Sequence, residues 1–390
     1  MKSILFVSEL GAGLGHIAPL MSIADAISSA SSKKPPKITF AVPDSISTRL
    51  AFGDSPYPIL ASPVKYDLAS PLSHTSSFIE ILTRAGFANA DLLSAAVASW
   101  QNLVDIVKPD LIIADHSPTA CLMARGKLPV ILIGSGYTMP PTNTQEFPAL
   151  AVGMQPPAIH KTVLTNVNSI LKAGKQNELE SLPKLLETEL RFVFTAPHLD
   201  PYNGLRKEPV IGTYNDGISH SPVPTDNRIF LYAGAVRNGL EAIAKSVLKM
   251  KVPVSAYLGS QTNVAKEYLK AAGAEVFDSP PPLSKILTKS TVVVSHGGAG
   301  LANASMLVGR PQLIIPIHAE SRITAGKIEA LGIGLAVEKI ESDPIEAALD
   351  PVLNVRSFET NAQKIALDLS KTSIAQTRID DIAKQILSKF

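Results

Sequence analysis

Two histidine-containing turns carry the residue types from which a reactive site can be built. The first, residues 11–16, reads Gly-Ala-Gly-Leu-Gly-His and lies between a short apolar run and a helical pattern. Glycines at such a turn let the backbone bend sharply and let a ligand approach closely. Their spacing is not the Gly-X-Gly-X-X-Gly of dinucleotide sites, which disfavours an NAD site. We expect His16 at the carboxyl end of a parallel strand, the usual place for a ligand crevice.

Asp115 is the predicted partner of His16. It ends the apolar run 111–114, so it also lies at the carboxyl end of a predicted strand. If the first and fourth strands are neighbours, both side chains open into one crevice, and the carboxylate holds the imidazole in one tautomer. Such a pair is a competent general base for a hydroxyl group. The alternative is that His16 only flanks a helix start and that Asp115 caps the following turn.

The second turn, residues 295–300, reads Ser-His-Gly-Gly-Ala-Gly and joins a strand at 292–294 to a helix that runs to about residue 308. Free N–H groups and the helix dipole favour a phosphate at such a helix start. His296 is a further hydrogen-bonding group for a phosphate oxygen. No Gly-X-X-X-X-Gly-Lys-Ser/Thr pattern is present, which excludes a P-loop NTPase on motif grounds. The turn therefore predicts a phosphate site, the alternative being a turn that serves only packing.

Short apolar strands that alternate with helices must position both turns, and this pattern predicts parallel sheets covered on both faces. The predicted strands are 4–7, 38–42, 111–114, 130–133, 229–233, 254–258, 275–277, 292–295 and 312–315. The predicted helices are 17–29, 77–107 with a break near Gly86, 240–248, 265–272 and 374–389. Residues 136–160 are rich in proline and are expected to be irregular. Residues 197–226, rich in proline and glycine, are the candidate linker between two domains.

Composition narrows the class of protein. A chain of 390 residues with 45% hydrophobic residues is long enough for two or three domains and is not disordered. The net charge of +2 argues against a dedicated nucleic-acid binder. Cys121 is the only cysteine, which excludes an internal disulfide and a thiolate zinc site and favours a reducing compartment. No run approaches the roughly 20 apolar residues that span a bilayer. We therefore expect a cytoplasmic protein, with peripheral membrane contact left open.

Taken together, these segments resemble the GT-B fold glycosyltransferases, specifically the UDP-glucuronosyl/UDP-glucosyltransferase-like family and its bacterial antibiotic and lipid glycosyltransferase relatives. Gly15-His16-Ile17-Ala18-Pro19 matches the family's Gly-His-X-X-Pro, whose histidine is the catalytic base, and residues 109–115 match the strand that brings its acidic partner. The most specific match spans roughly 40 residues of the donor signature. It comprises residues 296–300, Gly309-Arg310-Pro311, Pro316 and residues 331–334. Weaker matches are Leu199-Asp200-Pro201 and Pro282-Leu283.

The resemblance implies an α/β protein of GT-B architecture, with two doubly wound, Rossmann-like parallel-sheet domains facing a central cleft. The expected domains are an acceptor-binding domain at 1–205 and a nucleotide-sugar-binding domain at 227–373, with a linker at 206–226. Residues 374–390 are expected to form a C-terminal helix that packs back on the N-terminal domain.

The resemblance also implies an inverting, metal-independent hexosyltransferase that moves a sugar from a nucleotide-diphosphate sugar, expected to be a UDP-sugar, to a hydroxyl of a small or lipid-like acceptor. His16 and Asp115 are the implied catalytic residues, and no cofactor, metal or nucleic-acid partner is expected. The implied donor-binding residues are Gly15, Gly234, Ala235, Arg237, Pro281, His296, Gly297, Gly298, Ala299, Gly300, Glu320 and Ser321.

Four positions depart from the family pattern. Leu301 stands where Ser or Thr is usual, Ala304 replaces the Glu that grips the ribose, Ser321 replaces a Gln beside the sugar, and Thr324 replaces an Asn. A lost charge-assisted hydrogen bond costs about 1.5–3 kcal/mol, or roughly one to two decades in affinity. Asn303 and Ser305 are the candidate replacements for the ribose contact.

Three other functions stay open on the sequence alone. A nucleotide-sugar epimerase or hydrolase uses the same architecture, and an accessory binding protein of glycosyltransferase type tolerates the lost donor residues. A hydride-transfer enzyme is disfavoured by the glycine spacing. Apolar residues in the irregular stretches suggest an apolar acceptor pocket; they are Phe78, Phe87, Pro140, Pro141, Phe147 and Met154.

Overall fold

The computed structural model divides the chain into two units, residues 1–210 with 378–390 and residues 211–377. It describes residues 3–11, 14–31, 34–53, 55–63, 75–151, 153–214, 217–259, 264–372, 374 and 378–390. Each unit is built on one six-stranded, wholly parallel sheet.

The sheet of the first unit has the order β3-β2-β1-β4-β5-β6. Its strands are β1 Ser3–Ser8, β2 Lys37–Val42, β3 Ile59–Ala61, β4 Leu111–Asp115, β5 Val130–Ser135 and β6 Leu190–Phe194. β1 and β4 are buried along their whole length, because helices cover both faces of a parallel sheet.

The first unit has six α-helices and one 3₁₀ helix among the described residues up to 210. They are α1 Leu14–Ala30, α2 Ser45–Ala51, α3 Phe78–Arg84, α4 Ala90–Val107, α5 Pro118–Ala124 and α6 His160–Ala173, with a 3₁₀ helix at Leu182–Leu186. The predicted break near Gly86 is present between α3 and α4. Gly86 has a φ of +91°, and the Asn89 side chain then accepts a hydrogen bond from Leu92 N (3.0 Å) to cap α4. Pro109 follows the left-handed Lys108 and stops α4.

The sheet of the second unit has the order β12-β11-β10-β7-β8-β9. Its strands are β7 Ile229–Tyr232, β8 Val254–Tyr257, β9 Glu275–Phe277, β10 Val292–Ser295, β11 Gln312–Ile314 and β12 Gly334–Ala336. Its helices are α7 Leu240–Lys249, α8 Val264–Ala271, α9 Leu283–Thr288, α10 Ala299–Val308, α11 Ala319–Ala330, α12 Ser342–Asn354 and α13 Arg356–Ser370.

Both sheets follow the same topology. Counted within its own unit, each has the strand order 3-2-1-4-5-6, so the direction of winding reverses between the first and fourth strands. A crevice opens at the carboxyl ends of the strands at such a reversal, and ligands of doubly wound proteins bind there. The candidate site of the first unit therefore lies at the carboxyl ends of β1 and β4, and that of the second unit at the carboxyl ends of β7 and β10.

The division between the two units falls within the predicted linker at 206–226. Residues up to 210 belong to the first unit, where Arg206 pairs with Asp200 (2.7 Å). Later residues belong to the second unit, where the Arg310 guanidinium donates to the carbonyls of Ser221 (3.0 Å) and Pro222 (2.8 Å).

The C-terminal helix α14 spans Ile379–Lys389, so it begins five residues later than the predicted start at 374. It packs against α1 within the first unit. Within the residues described, no helix combines the length and the apolar character needed to cross a membrane.

Candidate active site

The structure brings His16 and Asp115 together at the reversal point of the first sheet. Ser8, the last residue of β1, pairs in register with Asp115, the last residue of β4. His16 Nδ1 lies 2.9 Å from Asp115 Oδ2, and the side chains are 18% and 3% exposed. Because an ionised carboxylate can only accept, Nδ1–H donates and Nε2 keeps its lone pair. The pair has the geometry of an oriented general base.

Gly11 makes room for the His16 ring. A Cβ at position 11 would overlap Cγ and Cδ2 of His16 and would lie 2.7 Å from its Nδ1. The group that lies close to the Gly11 backbone is thus the His16 imidazole, not a ligand as the sequence suggested. Gly15 lies in the first turn of α1, and nothing lies within 4 Å of the place its Cβ would take. Ala12 and Gly13 fall outside the described residues.

We expect Gly11→Ala to lower kcat by about 10²-fold, because a displacement of about 1 Å in a catalytic group has this effect. Steady-state kinetics on the purified variant measure the change. Gly326→Ala is the matched control, since Gly326 lies within α11 and a Cβ there meets nothing within 4 Å. Equal kcat values for the two variants would contradict the steric role of Gly11.

His116 is a neighbour that sequence reasoning missed. Its ring stacks on that of His16 with centroids 5.7 Å apart, and its backbone is left-handed with φ +48°. Burial, followed by the proximity of His16, lowers the pKa of His116 well below its usual value. His116 is therefore neutral near pH 7, and Asp115 is the ionic neighbour of His16. The only sequence signal was a second histidine directly after Asp115.

In the second unit, three turns from neighbouring strands lie at one edge of the sheet. Residues 296–298 follow β10, residues 233–239 follow β7 and residues 315–318 follow β11, and β10 lies between β7 and β11. Helix α10 begins after Gly298, whose N-cap position has no side-chain capping bond. N–H groups at an uncapped helix start are suited to an anion.

At each of the three glycines in this turn, a different neighbour limits the space for a side chain. Gly297 is left-handed at φ +79°, and its Cβ position lies 2.7 Å from Ile314 Cγ2. The Cβ position of Gly298 lies 3.0 Å from His296 Nε2, and that of Gly300 lies 3.3 Å from Tyr214 Cε1. Residues 298–300 remain half-buried, so the turn is not filled by packed side chains. Tyr214, which no sequence pattern indicated, flanks it.

His296 is a neutral group in this turn. Burial, together with the nearby His318, lowers the pKa of His296 to about 4. The rings of His296 and His318 lie 6.3 Å apart at their centroids. A neutral imidazole offers a phosphate oxygen a hydrogen bond rather than a charge.

The structure contradicts the predicted donor contact at Ser321. Its side chain is fully buried, and its hydroxyl accepts from Ile317 N and His318 N (both 3.0 Å) and donates to His318 O (2.8 Å). The serine therefore caps α11 and presents no hydroxyl to a ligand. Glu320, one residue earlier in the first turn of α11, stays half-buried and remains a predicted contact.

The candidate ribose contacts Asn303 and Ser305 lie on α10. Both side chains are buried within α10, and Asn303 Nδ2 donates to Ala299 O (2.9 Å). Leu301 and Ala304 are buried beside them. No residue of this stretch thus restores the ribose contact that Glu would make.

The remaining predicted donor residues lie at the carboxyl ends of other strands. Gly234, Ala235 and Arg237 follow β7, next to β10, and Ala235 and Arg237 are exposed. Pro281 lies between β9 and α9 and is half-buried. They share the sheet edge with His296, and their roles stay predictions.

The apolar acceptor pocket drawn from loop residues is not supported. Phe78, Phe87 and Phe147 are buried in the core of the first unit, together with Pro140 and Pro141. These side chains pack the protein rather than face a ligand. Met154 is 38% exposed. Among the residues that the structure describes, no group of three His, Cys, Asp or Glu side chains is placed to hold a metal ion.

Residues 278–386 match the model of the erythromycin biosynthesis protein CIII-like, C-terminal domain. The chain is similar to the L-demethylnoviosyl transferase of Streptomyces niveus, at 23% identity over 70% of this chain and 69% of that protein. It is also similar to the sterol 3-beta-glucosyltransferase of Kluyveromyces lactis, at 27% identity over 32% of this chain. That match spans only 10% of the yeast protein's length.

Solved structures confirm the predicted fold. The calicheamicin glycosyltransferase CalG4 superposes with a TM-score of 0.69 at 16% identity, covering 100% of this chain and 98% of that one. SsfS6, a glycosyltransferase of Streptomyces sp. SF2575, superposes with a TM-score of 0.63 at 19% identity, covering 99% of both chains. Two doubly wound parallel sheets of GT-B type are therefore present, as the sequence predicted.

Proposed function

We propose that this chain, which has the GT-B fold and is similar in sequence to UDP-glycosyltransferase-like enzymes, transfers a sugar from a nucleoside-diphosphate sugar to a hydroxyl group of a small or lipid-like acceptor. The observation that carries the proposal is the 2.9 Å hydrogen bond between His16 and Asp115 at the β1–β4 reversal point. An oriented base at this position is what activation of an acceptor hydroxyl requires.

In the proposed reaction, Nε2 of His16 takes the proton of the acceptor hydroxyl. The acceptor oxygen forms a bond to the anomeric carbon as the bond from that carbon to the diphosphate breaks. One displacement of this kind inverts the anomeric configuration. Asp115 stabilises the imidazolium that forms and holds the ring in place.

Charge that develops on the departing diphosphate is proposed to be stabilised by the start of α10. The uncapped N–H groups after Gly298 and the helix dipole supply fixed positive partial charge, and neutral His296 adds a hydrogen bond. This arrangement supplies the stabilisation without a bound metal. Turnover is then expected to be unchanged by a chelator such as EDTA.

The class of donor and acceptor is supported by what similar proteins bind or transfer. SsfS6 and the spinosyn rhamnosyltransferase SpnG have both been solved with thymidine diphosphate. The curated relatives include sterol glucosyltransferases and a UDP-glucosyltransferase of Bacillus subtilis. The thymidine diphosphate complexes and the UDP-glucosyltransferase support a pyrimidine-nucleoside-diphosphate sugar as donor, and the sterol enzymes support a hydroxylated apolar acceptor. UDP-sugars remain our first expectation.

Mass spectrometry of reactions between a panel of UDP- and dTDP-sugars and hydroxylated sterols, polyketides and phenols tests the proposal. We expect an acceptor product heavier by one sugar residue, with NMR showing an anomeric configuration opposite to that of the donor. Donor consumption without any acceptor would instead support a hydrolase or epimerase. Absence of binding to every donor in calorimetric titrations would support an accessory protein.

A further inference from the structure

Glu9 is a buried carboxyl group that the proposed mechanism does not use. It follows β1 directly and is 3% exposed. Burial raises the pKa of Glu9 to about 7, although hydrogen bonds with the Thr119 side chain and with the backbone of Thr119 and Ala120 act in the opposite direction. Cys121 lies on α5 with Thr119 and Ala120 and is also buried. Burial raises the pKa of its thiol to about 12, so the thiol is neutral. A carboxyl group in such surroundings calls for a structural or functional reason.

The contacts of Glu9 reach across the sheet to α5. Its Oε2 accepts from Thr119 N at 2.9 Å and from Ala120 N at 3.4 Å, in the first turn of that helix. Ser117, the N-cap residue of α5, makes no side-chain capping bond. Glu9 therefore caps α5 from a position 110 residues earlier in the chain.

The next residue holds the same segment. Leu10 N donates to His116 O at 3.0 Å, and His116 has the left-handed backbone that side-chain-bearing residues rarely adopt. Two consecutive residues of the β1–α1 turn thus fix the segment that leaves β4 after Asp115. The same turn carries Gly11, against which the His16 ring lies.

We propose that Glu9 is a positioning residue, which ties the turn that supports His16 to the segment that carries Asp115 and so maintains their hydrogen bond. Glu9 acts through these backbone contacts and needs no contact with substrate. The proposal rests on the proposed function, in which His16 is the base. The competing explanation is that Glu9 only stabilises α5.

Asp44 provides a matched control. Its Oδ1 accepts from Ser47 N at 2.8 Å and caps α2, which has seven residues like α5 and lies in the same unit. Asp44→Ala removes a cap of the same kind at a place remote in sequence from both catalytic residues. We expect Asp44→Ala to leave kcat unchanged.

We expect Glu9→Ala to lower kcat by about 10- to 10²-fold with the donor KM unchanged, because the dyad is displaced rather than the donor site. Glu9→Gln keeps an oxygen acceptor for the two N–H groups and is expected to stay within about threefold of the parent kcat. If Glu9→Ala does not fold, Glu9→Asp replaces it, since its shorter side chain cannot reach both N–H groups.

NMR of the ¹⁵N-histidine-labelled protein without substrate gives a second readout. The His16 Nδ1 proton that is bound to Asp115 should be observed in the parent, Glu9→Gln and Asp44→Ala proteins and lost in Glu9→Ala. An unchanged Nδ1 signal in Glu9→Ala would overturn the proposal, whatever its kcat. A lost signal with unchanged kcat would support positioning by Glu9 and would count against His16 as the base.

Discussion

Replacing His16 with alanine is expected to lower kcat by about 10²–10⁴-fold, the usual contribution of a positioned general base. The imidazole is the group whose Nδ1 is 2.9 Å from Asp115, and its removal leaves the acceptor hydroxyl without a proton acceptor. The donor KM should be unchanged, because the turns proposed to hold the diphosphate belong to the second unit. Steady-state kinetics with a matched donor and acceptor measure both constants.

Asp115→Asn separates orientation from proton transfer. The amide keeps the shape of the carboxylate but favours the wrong imidazole tautomer and does not stabilise the imidazolium. We expect a loss approaching that of His16→Ala, and a double variant no slower than the slower single variant, because residues that act as a unit are not additive. A His16→Ala enzyme with kcat within threefold of the parent would remove His16 from the base role.

The position of the dyad was predictable because it depends on strand pattern alone. The central residues of β1 and β4 are apolar, and His16 and Asp115 lie at or beyond the carboxyl ends of these strands. Topology then brings these two residues together, since the first and fourth strands of a doubly wound sheet are neighbours. The edge strands β3, β6 and β12 were not predicted, although the edge strand β9, which has three residues like β3 and β12, was. Strands of three to five residues carry little periodic signal.

The sequence did not reveal which polar side chains are buried and hydrogen-bonded within the protein itself. Glu9 caps a helix that begins more than 100 residues later, and Ser321 is consumed by the cap of its own helix. A family pattern assigns a serine by its place in a motif, whereas burial decides whether its hydroxyl can meet a ligand. For the same reason Asn303 was a plausible ribose contact in the sequence and is a buried helix residue in the structure.

The buried ion cluster around Arg206 carries the largest expected effect on stability. Its guanidinium is 3% exposed and binds Asp200 (2.7 Å) and Glu208 (3.0 Å). It also donates to the carbonyls of Met139 (2.7 Å) and Gly136 (3.2 Å), which belong to the loop after β5. One side chain therefore joins residues 200–208 to the loop at 136–139.

We expect Arg206→Ala to lower the free energy of unfolding of the first unit by about 3–5 kcal/mol, because Asp200 stays buried without its countercharge. Trp100 is the only tryptophan and is fully buried in that unit, so its fluorescence during urea unfolding reports on this unit separately. Lys389→Ala breaks an exposed pair with Glu189 (3.4 Å) in the same unit and should cost 0–1 kcal/mol. Equal midpoints for the two variants would show that the cluster adds no stability.

The double variant Arg206→Ala/Asp200→Ala should lose less stability than the two single variants lose in sum. In the double variant the Asp200 charge, which Arg206→Ala alone leaves buried and unpaired, is absent.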